Sequence, residues 1–132
     1  MSNEDLIKEA INAREMAYVP YSHFKVGAAV LTESDKLYTG CNIENASFGA
    51  TNCAERTAIF KAQSEGERKI KKIAIVGDFT NITAPCGICR QVISEFSDEN
   101  TIIIMAKNEK EYIVKKVNEI LPFAFTKNDL NK

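Results

Sequence analysis

Three of the four cysteines lie in two short clusters whose spacing is suited to holding one metal ion. The first cluster reads CAER over residues 53–56, and the second reads PCGIC over residues 85–89. Each lies at the predicted start of a helix, where partial positive charge and free N–H groups lower a thiol's pKa and favour the metal-binding thiolate. Cys86 and Cys89, three residues apart on one helical turn, can bind an ion together, and Cys53 from a neighbouring helix would complete a three-ligand site.

A site with three protein ligands is typical of catalytic zinc, because its fourth position stays open for water, whereas structural zinc normally has four ligands. The sequence gives no convincing fourth ligand. Cys41 ends a predicted strand and His23 lies in a predicted loop, where a buried apolar thiol and a loop imidazole are the simpler interpretations. We therefore expect one catalytic Zn²⁺ per chain.

Glu55 is suited to act as a general base and acid next to this metal. It follows Cys53 by two residues, which places the two side chains about 200° apart on an ideal helix, so they cannot point at the same ion. Glu55 can instead stand beside the metal-activated water, where proton transfer is needed. A solvated helix glutamate is the alternative interpretation, and the three cysteines argue against it.

An arginine near the cysteines would balance the charge of the site. Three thiolates on Zn²⁺ leave one net negative charge, which makes a bound water harder to deprotonate. Arg56 follows Glu55 and Arg90 follows Cys89, and a guanidinium at either position could hydrogen-bond the sulfurs and tune the metal. We expect Arg56 to compensate the charge, and interpret Arg90 as an exposed, salt-bridging arginine.

The composition is that of an ordinary globular protein. The chain has 132 residues, 45% hydrophobic and 27% charged, so we expect one domain spanning residues 1–132. Seventeen basic against eighteen acidic residues give a formal net charge of −1, without the basic footprint of a nucleic-acid or membrane-surface binder. The first residues lack a secretory signal, and no apolar stretch is long enough to span a bilayer. We expect a cytoplasmic protein with reduced cysteines and neither nucleic-acid nor membrane partners.

The hydrophobic pattern predicts a mixed α/β sheet. Helical periodicity begins after Asn3, interpreted as the N-cap, and ends before Pro20. The other predicted elements, in chain order, are a hairpin of Val26–Thr32 and Leu37–Asn42, a helix Cys53–Glu65, a central buried strand Ile73–Val76, a helix Cys86–Phe96, a buried strand Thr101–Met105, an edge strand Glu111–Val117 that also fits a helix, a short helix through Leu121, and a polar tail Thr126–Lys132. This order implies a mixed sheet with parallel strands joined by crossover helices.

The cysteine and glutamate clusters together match a known pattern. Cys-x-Glu followed by Pro-Cys-x-x-Cys resembles the signature of zinc-dependent nucleobase deaminases. The match extends to YSHFKVGAA at residues 21–29, GCNIENAS at 40–47, CAERTA at 53–58 and LPFAF at 121–125. Over nearly its whole length the chain resembles the small homotetrameric cytidine deaminases, since the nucleic-acid and deoxycytidylate branches typically carry His in place of Cys53. The resemblance implies an α/β fold of three layers, with a mixed five-stranded sheet flanked by helices.

The resemblance also implies a role for each site residue. Cys53, Cys86 and Cys89 would bind zinc, and Glu55 would shuttle protons. The residues implied to contact the substrate are Phe24 against the nucleoside, Asn42 and Glu44 on the ribose, Ala54, and Phe125 from a neighbouring subunit of the homotetramer.

Three phenylalanines call for separate expectations. Phe48 departs from the family pattern, where tyrosine is common, so a contact made by that hydroxyl is missing here. Phe123 and Phe125 lie just before the polar tail. We expect Phe123 to cap the core of its own chain and Phe125 to cover the base in another subunit, where an apolar ring helps to exclude water.

The implied function is the hydrolytic deamination of cytidine and deoxycytidine to uridine and deoxyuridine, in pyrimidine salvage. Zinc-bound hydroxide would attack C4 of the base while Glu55 delivers protons to N3 and the leaving amine. Three alternatives stay open: a deaminase of another aminonucleoside such as an antibiotic, a thiol–disulfide oxidoreductase, and a structural zinc protein. The third cysteine and Glu55 argue against the redox protein, and the pair Asn42 and Glu44 favours cytidine.

Overall fold

One mixed five-stranded sheet organises residues 1–130, the part of the chain that the structure, a computed structural model, describes. The strands lie in the order β2-β1-β3-β4-β5. Their bounds are β1 Gly27–Thr32, β2 Leu37–Cys41, β3 Ile70–Val76, β4 Ile102–Ala106 and β5 Tyr112–Lys116. The helices are α1 Asn3–Arg14, α2 Ala54–Ser64, α3 Gly87–Glu95, α4 Val117–Ile120 and α5 Lys127–Leu130, with a 3₁₀ turn at Phe48–Ala50.

The strand pairing confirms the mixed sheet that the sequence predicts. β1 is antiparallel to both β2 and β3, and β4 is antiparallel to β5. β3 and β4 are parallel, with Ile73 opposite Ile103, and α3 forms the crossover between them. The predicted hairpin, central strand and edge strand are all confirmed. Among the five strands of this sheet, parallel pairing within residues 1–130 is limited to β3 and β4, and a single isolated parallel bridge joins Tyr18 to Ile43.

Helix α1 covers one face of the sheet. Its N-cap is Ser2, whose hydroxyl oxygen accepts a hydrogen bond from the Asp5 N–H at 3.0 Å. The prediction of Asn3 as N-cap is wrong by one residue, because Ser2 has both the extended backbone and the side-chain acceptor that a cap requires. The core on this face is formed by Leu6, Ile7, Ala10, Ala29, Leu31, Ala74, Val76, Ile104 and Ala106.

Helices α2 and α3 cover the opposite face. Alternate strand residues point to opposite sides of a sheet, so Ala28 and Val30 of β1 face these helices while Ala29 and Leu31 face α1. The core on the α2 and α3 side includes Ala54, Ala58, Ile59, Ile73, Ile75, Ile93, Ile103 and Met105. Both sheet faces are therefore buried, which explains the continuous apolar runs of the central strands. The predicted three-layer α/β arrangement is confirmed.

The segment after α4 lies against α3. The Phe125 carbonyl accepts a hydrogen bond from Gln91 Nε2 at 2.8 Å. The prediction that Phe123 caps the core is wrong: its side chain is fully exposed, and its φ of 55° lies in the left-handed region. The predicted polar tail contains the single turn α5, and its last residues, 131 and 132, lie outside the described residues. None of the helices in residues 1–130 is long and apolar enough to cross a lipid bilayer.

Gly27 permits the close approach of α1 to the sheet. A Cβ atom at this position would lie 1.9 Å from the Ala10 carbonyl oxygen and 2.7 Å from the Arg14 backbone nitrogen. Both are backbone atoms of α1, so a larger residue at position 27 displaces the helix. At Gly49, by contrast, no atom lies within 4 Å of the position a Cβ would take.

Gly27→Ala should lower the free energy of unfolding by roughly 1–3 kcal/mol, the usual cost of overpacking, and by more if α1 cannot shift. Gly49→Ala is the matched control, since it adds the same methyl group in open space, and should change stability by less than about 0.5 kcal/mol. Urea unfolding followed by circular dichroism measures both. Equal midpoints for the two variants would contradict the close packing.

Candidate metal centre and its surroundings

The side chains of Cys53, Cys86 and Cys89 come together at one point. Their sulfur atoms all lie within 4.8 Å of one another. Within residues 1–130 this is the one group of three or more His, Cys, Asp or Glu side chains gathered closely enough to hold a metal ion. Cys41 and His23 are not part of it.

Both helices that carry the thiols begin directly after a cysteine. Cys53 is the N-cap of α2 and Cys86 the N-cap of α3, each with an extended backbone. The Cys86 sulfur accepts a hydrogen bond from the Cys89 N–H at 3.4 Å, as a capping side chain does. Since α2 and α3 pack on the same face of the sheet, their N-termini meet, and both helix dipoles favour negative charge on the sulfurs.

The spacing of the sulfurs fits a zinc ion. A tetrahedral ion with Zn–S bonds of about 2.3 Å holds its sulfur ligands about 3.8 Å apart. The sulfurs of Cys53 and Cys86 are separated by 3.8 Å. Three thiols with this spacing supply three of four tetrahedral positions, and the fourth is left for a non-protein ligand, as in catalytic zinc sites.

The cluster favours a thiolate at Cys53. Its pKa falls to about 5, chiefly because the Cys89 thiol hydrogen-bonds to it, and further because Arg56 lies against it, while burial opposes both effects. The same pairing with Cys53, together with burial, raises the pKa of Cys89. Without metal, the cluster therefore takes its first negative charge at Cys53, and further charge requires a compensating cation.

Within residues 1–130, Arg56 forms a hydrogen bond with a thiol of the cluster, and Arg90 forms none. Arg56 Nη2 donates to the Cys53 sulfur at 3.2 Å. Arg90 Nε donates to the Pro85 carbonyl at 2.8 Å, and its Nη1 donates to the Ile120 carbonyl at 2.7 Å. The interpretation of Arg90 as an exposed, salt-bridging residue is wrong, because its half-buried guanidinium holds two backbone carbonyls instead.

Glu55 is buried beside the thiols. Only 4% of its surface is exposed, which excludes a solvated helix glutamate. Burial is the main reason why the pKa of its carboxyl rises to about 7, and the charge of Cys53 raises it further, whereas a hydrogen bond with Cys89 and the charge of Arg56 lower it. A carboxyl in this environment is suited to exchange protons with a neighbouring group.

Asn42 is held by the backbone of the segment that carries Phe24. Its Oδ1 accepts a hydrogen bond from the Val26 N–H at 2.9 Å, and its Nδ2 donates to the Phe24 carbonyl at 2.8 Å. An amide side chain has two donor hydrogens and two acceptor lone pairs. Counted over residues 1–130, one donor and one acceptor of Asn42 are therefore engaged, and one of each remains to serve a ligand.

Glu44 is held by a turn earlier in the chain. Its Oε1 accepts hydrogen bonds from the backbone N–H groups of Tyr21 at 3.0 Å and Ser22 at 3.1 Å. Its Oε2 accepts a hydrogen bond from the Ser22 hydroxyl. These contacts lower the pKa of Glu44 and keep its carboxylate ionised, and the hydrogen bond from the Ser22 hydroxyl has the largest effect. Tyr21 and Ser22 are the site residues that residue-by-residue reasoning misses, although they lie within the matched segment 21–29.

The remaining sequence-predicted residues differ in exposure. Phe24 is 39% exposed, and its ring contacts Gly77, where a Cβ would lie 2.7 Å from Phe24 Cζ. The side chains of Phe48 and Phe125 are largely exposed. Ala54 has no exposed surface, so the structure does not bring it to a surface that a ligand reaches.

A cavity of about 390 Å³ opens beside Glu44. Its lining consists of Tyr21, Ser22, Glu44, Asn45, Phe48 and Thr51. Another cavity, of about 360 Å³, lies between α3 and the C-terminal segment and contains none of the sequence-predicted site residues. The carboxylate of Glu44 thus faces space that a small polar molecule can enter.

Comparisons with known proteins agree with this site. A family model described as the cytidine and deoxycytidylate deaminase zinc-binding region matches residues 1–105. The chain is similar to a cytidine deaminase of Halalkalibacterium halodurans, with 51% identity over 99% of each chain. It is also similar to a cytidine deaminase of Sporosarcina psychrophila, with 49% identity over 99% of this chain and 96% of the other. A crystal structure of cytidine deaminase from Burkholderia pseudomallei aligns with a TM-score of 0.89 and 45% identity, over 95% of this chain and 100% of the other.

Arg56→Gln should weaken zinc binding by about 10–100-fold, the typical effect of removing a group that hydrogen-bonds a metal ligand. Arg90→Gln is the matched control: it also removes a guanidinium next to the site, but one that holds carbonyls, so it should affect stability more than zinc affinity. Competition with a zinc chelator, together with thermal unfolding, separates the two effects. An equal loss of zinc affinity in both variants would show that the contact with Cys53 does not stabilise the metal.

Proposed function

Because the chain belongs to the zinc-binding cytidine and deoxycytidylate deaminase family, we propose that it catalyses the hydrolytic deamination of cytidine and deoxycytidine. The observation that carries the proposal is the burial of Glu55 beside three convergent thiols. A thiol–disulfide oxidoreductase needs two cysteines and leaves the third, with Glu55, unexplained. A structural zinc protein needs a fourth protein ligand, and the described residues place none with the three thiols.

The proposed zinc ligands are Cys53, Cys86 and Cys89. Bound there, the ion would act as a Lewis acid that lowers the pKa of the attacking water. Arg56, by its hydrogen bond to the Cys53 sulfur, would offset the excess negative charge of three thiolates. This contact keeps the sulfurs from weakening the ion's effect on the water.

Glu55 would perform the proton transfers. It would accept a proton from the water as the oxygen bonds to C4 of the base and deliver that proton to N3. It would then take the remaining proton from the new C4 hydroxyl and deliver it to the leaving amine. The C4–N4 bond breaks, so one water is consumed and ammonia and a uracil nucleoside are formed. Because Glu55 is buried, the transferred protons stay with the substrate rather than exchanging with bulk water.

Phe24, Asn42 and Glu44 would bind the nucleoside. The exposed part of the Phe24 ring offers an apolar surface for the base. The hydrogen-bonding capacity that Asn42 and Glu44 retain suits sugar hydroxyls, which both donate and accept. Ala54 has no exposed surface, so a contact between Ala54 and the nucleoside would require neighbouring groups to move.

We further infer that the enzyme is a cytoplasmic homotetramer of pyrimidine salvage whose single-domain chains share their active sites. Two large apolar side chains on or next to α3 are not covered by their own chain: Ile88, between two of the cysteines, is 63% exposed, and Phe125, whose carbonyl is bound by Gln91, is 61% exposed. Exposed apolar groups around a site are typical of an interaction surface. Phe125 of one chain would then cover the base that is bound in another.

Purified protein should convert cytidine and deoxycytidine with about one zinc per chain, and should turn over cytidine 5′-monophosphate far more slowly, because the sequence has no phosphate-binding loop.

Glu55→Gln should keep the zinc and lose turnover by about 10²–10⁴-fold, as expected for a general acid–base group. The ultraviolet absorbance change on deamination measures each rate, and atomic absorption measures the zinc. Retention of more than about a tenth of the activity by Glu55→Gln would remove Glu55 from the mechanism.

Mixed oligomers test the sharing of sites. Glu55→Gln and Phe125→Ala proteins are prepared separately, then co-assembled, and mixing is verified by native mass spectrometry. If sites are shared, some contain intact Glu55 and intact Phe125 from different chains, so activity should exceed the weighted sum of the parents. Strictly additive activity would place Phe125 at the site of its own chain.

A further inference from the structure

A tight turn presents Ser22 to two of the proposed substrate-binding residues. The His23 N–H donates to the Val19 carbonyl at 3.0 Å. His23 has a φ of 58°, in the left-handed region. Few residues other than glycine adopt this conformation, and one that does is held there by its surroundings. The contacts of Ser22, directly before His23, are among those surroundings.

The Ser22 hydroxyl links Phe24 to Glu44. Its oxygen accepts a hydrogen bond from the Phe24 N–H at 3.0 Å, and its proton is donated to Glu44 Oε2. A hydroxyl has a single proton, so the bond from Phe24 leaves that proton directed at the carboxylate. Successive hydrogen bonds of this kind polarise and strengthen one another.

The contacts of this turn leave Glu44 with one acceptor position for a ligand. A carboxylate accepts about four hydrogen bonds, two at each oxygen. Oε1 accepts the N–H groups of Tyr21 and Ser22, and Oε2 accepts the Ser22 hydroxyl. The position that remains, counted over residues 1–130, is on Oε2. Glu44 and Ser22 both line the cavity of about 390 Å³ through which a ligand would reach it.

We propose that Ser22 is a positioning residue that fixes Glu44 Oε2 for one hydroxyl at C2′ or C3′ of the sugar and thereby determines the preference over 2′,3′-dideoxynucleosides, an inference that rests on the function proposed above. Ser22 acts through Glu44 and is not itself a catalytic residue. Its hydrogen bonds within residues 1–130 reach Glu44 and Phe24 and do not reach the thiols. Loss of its hydroxyl should therefore affect substrate binding and leave zinc content and kcat nearly unchanged.

Phe24 should keep its place without Ser22. Its carbonyl accepts a hydrogen bond from Asn42 Nδ2 at 2.8 Å, and its ring contacts Gly77. The surface proposed for the base is thus held from two other sides. A ligand that lacks the 2′ and 3′ hydroxyls should be nearly insensitive to Ser22, and this separates positioning of Glu44 from a general loosening of the site.

The experiment compares cytidine, as substrate, with 2′,3′-dideoxycytidine, as competitive ligand, in wild type, Ser22→Ala and Ser22→Thr. Ser22→Ala should raise the KM of cytidine about tenfold, as for the loss of one hydrogen bond to a charged group. The inhibition constant of 2′,3′-dideoxycytidine should change by less than about threefold, and kcat by less than about twofold. Ser22→Thr, which keeps the hydroxyl, should restore the KM. Ser64→Ala is the control, because among the described residues the Ser64 hydroxyl donates to the Lys61 carbonyl of its own helix and reaches no proposed site residue.

Each other outcome has a definite meaning. Equal weakening of both ligands by Ser22→Ala, or failure of Ser22→Thr to restore the KM, would assign Ser22 a purely structural role and overturn the proposal. If Ser22→Ala does not fold, Ser22→Val is compared with Ser22→Thr, because valine and threonine have the same shape and differ in the hydroxyl. Unfolding of the Ala, Val and Thr variants alike overturns the proposal. A wild-type protein that does not deaminate cytidine refutes the proposed function instead, whatever the variants do.

Discussion

The site depends on the meeting of two helix N-termini at one point. Three sulfurs within 4.8 Å of one another cannot all carry charge unless something opposes their repulsion. The fold supplies positive charge from two sources. Helices α2 and α3 point their positive ends at the cluster, and Arg56 adds a full positive charge at the Cys53 sulfur. A zinc ion supplies the rest. The sheet face on which α2 and α3 both pack keeps these two helix ends together.

Helix geometry explains how three neighbouring residues take such different positions. Cys53 precedes the first turn of α2 as its N-cap, so its sulfur lies at the end of the helix rather than on its side. Glu55 and Arg56 follow within that turn, about 100° apart around the axis. The Glu55 side chain is buried, with 4% of its surface exposed, while the Arg56 guanidinium donates a hydrogen bond to the Cys53 sulfur. The capping Cys53, Glu55 and Arg56 thus place a thiol, a carboxyl and a guanidinium next to one another at the start of α2.

The sequence predicts the elements and the thiol cluster well, because these follow from short-range patterns. The apolar run Ile73–Val76 predicts a strand that is buried on both sides, and helices do cover both faces of the sheet at this strand. The contacts of Asn42 and Glu44 could not be predicted, since their partners are backbone groups and the Ser22 hydroxyl, all of them 16 to 23 residues earlier in the chain. The prediction for Phe123 fails for a similar reason: its apolar character suggests burial, whereas its exposure depends on the path of the C-terminal segment, which leaves the ring fully exposed at a left-handed backbone position.

The C-terminal segment forms a short arch on the helix that carries two of the thiols. Consecutive residues of α3 hold its two ends: Arg90 binds the Ile120 carbonyl and Gln91 binds the Phe125 carbonyl. Arg90 also binds the carbonyl of Pro85, directly before Cys86. One guanidinium therefore joins the start of the arch to the residue that precedes a thiol. Loss of Arg90 would free the Ile120 and Pro85 carbonyls together, so the arch and the start of α3 share a single side chain as their support.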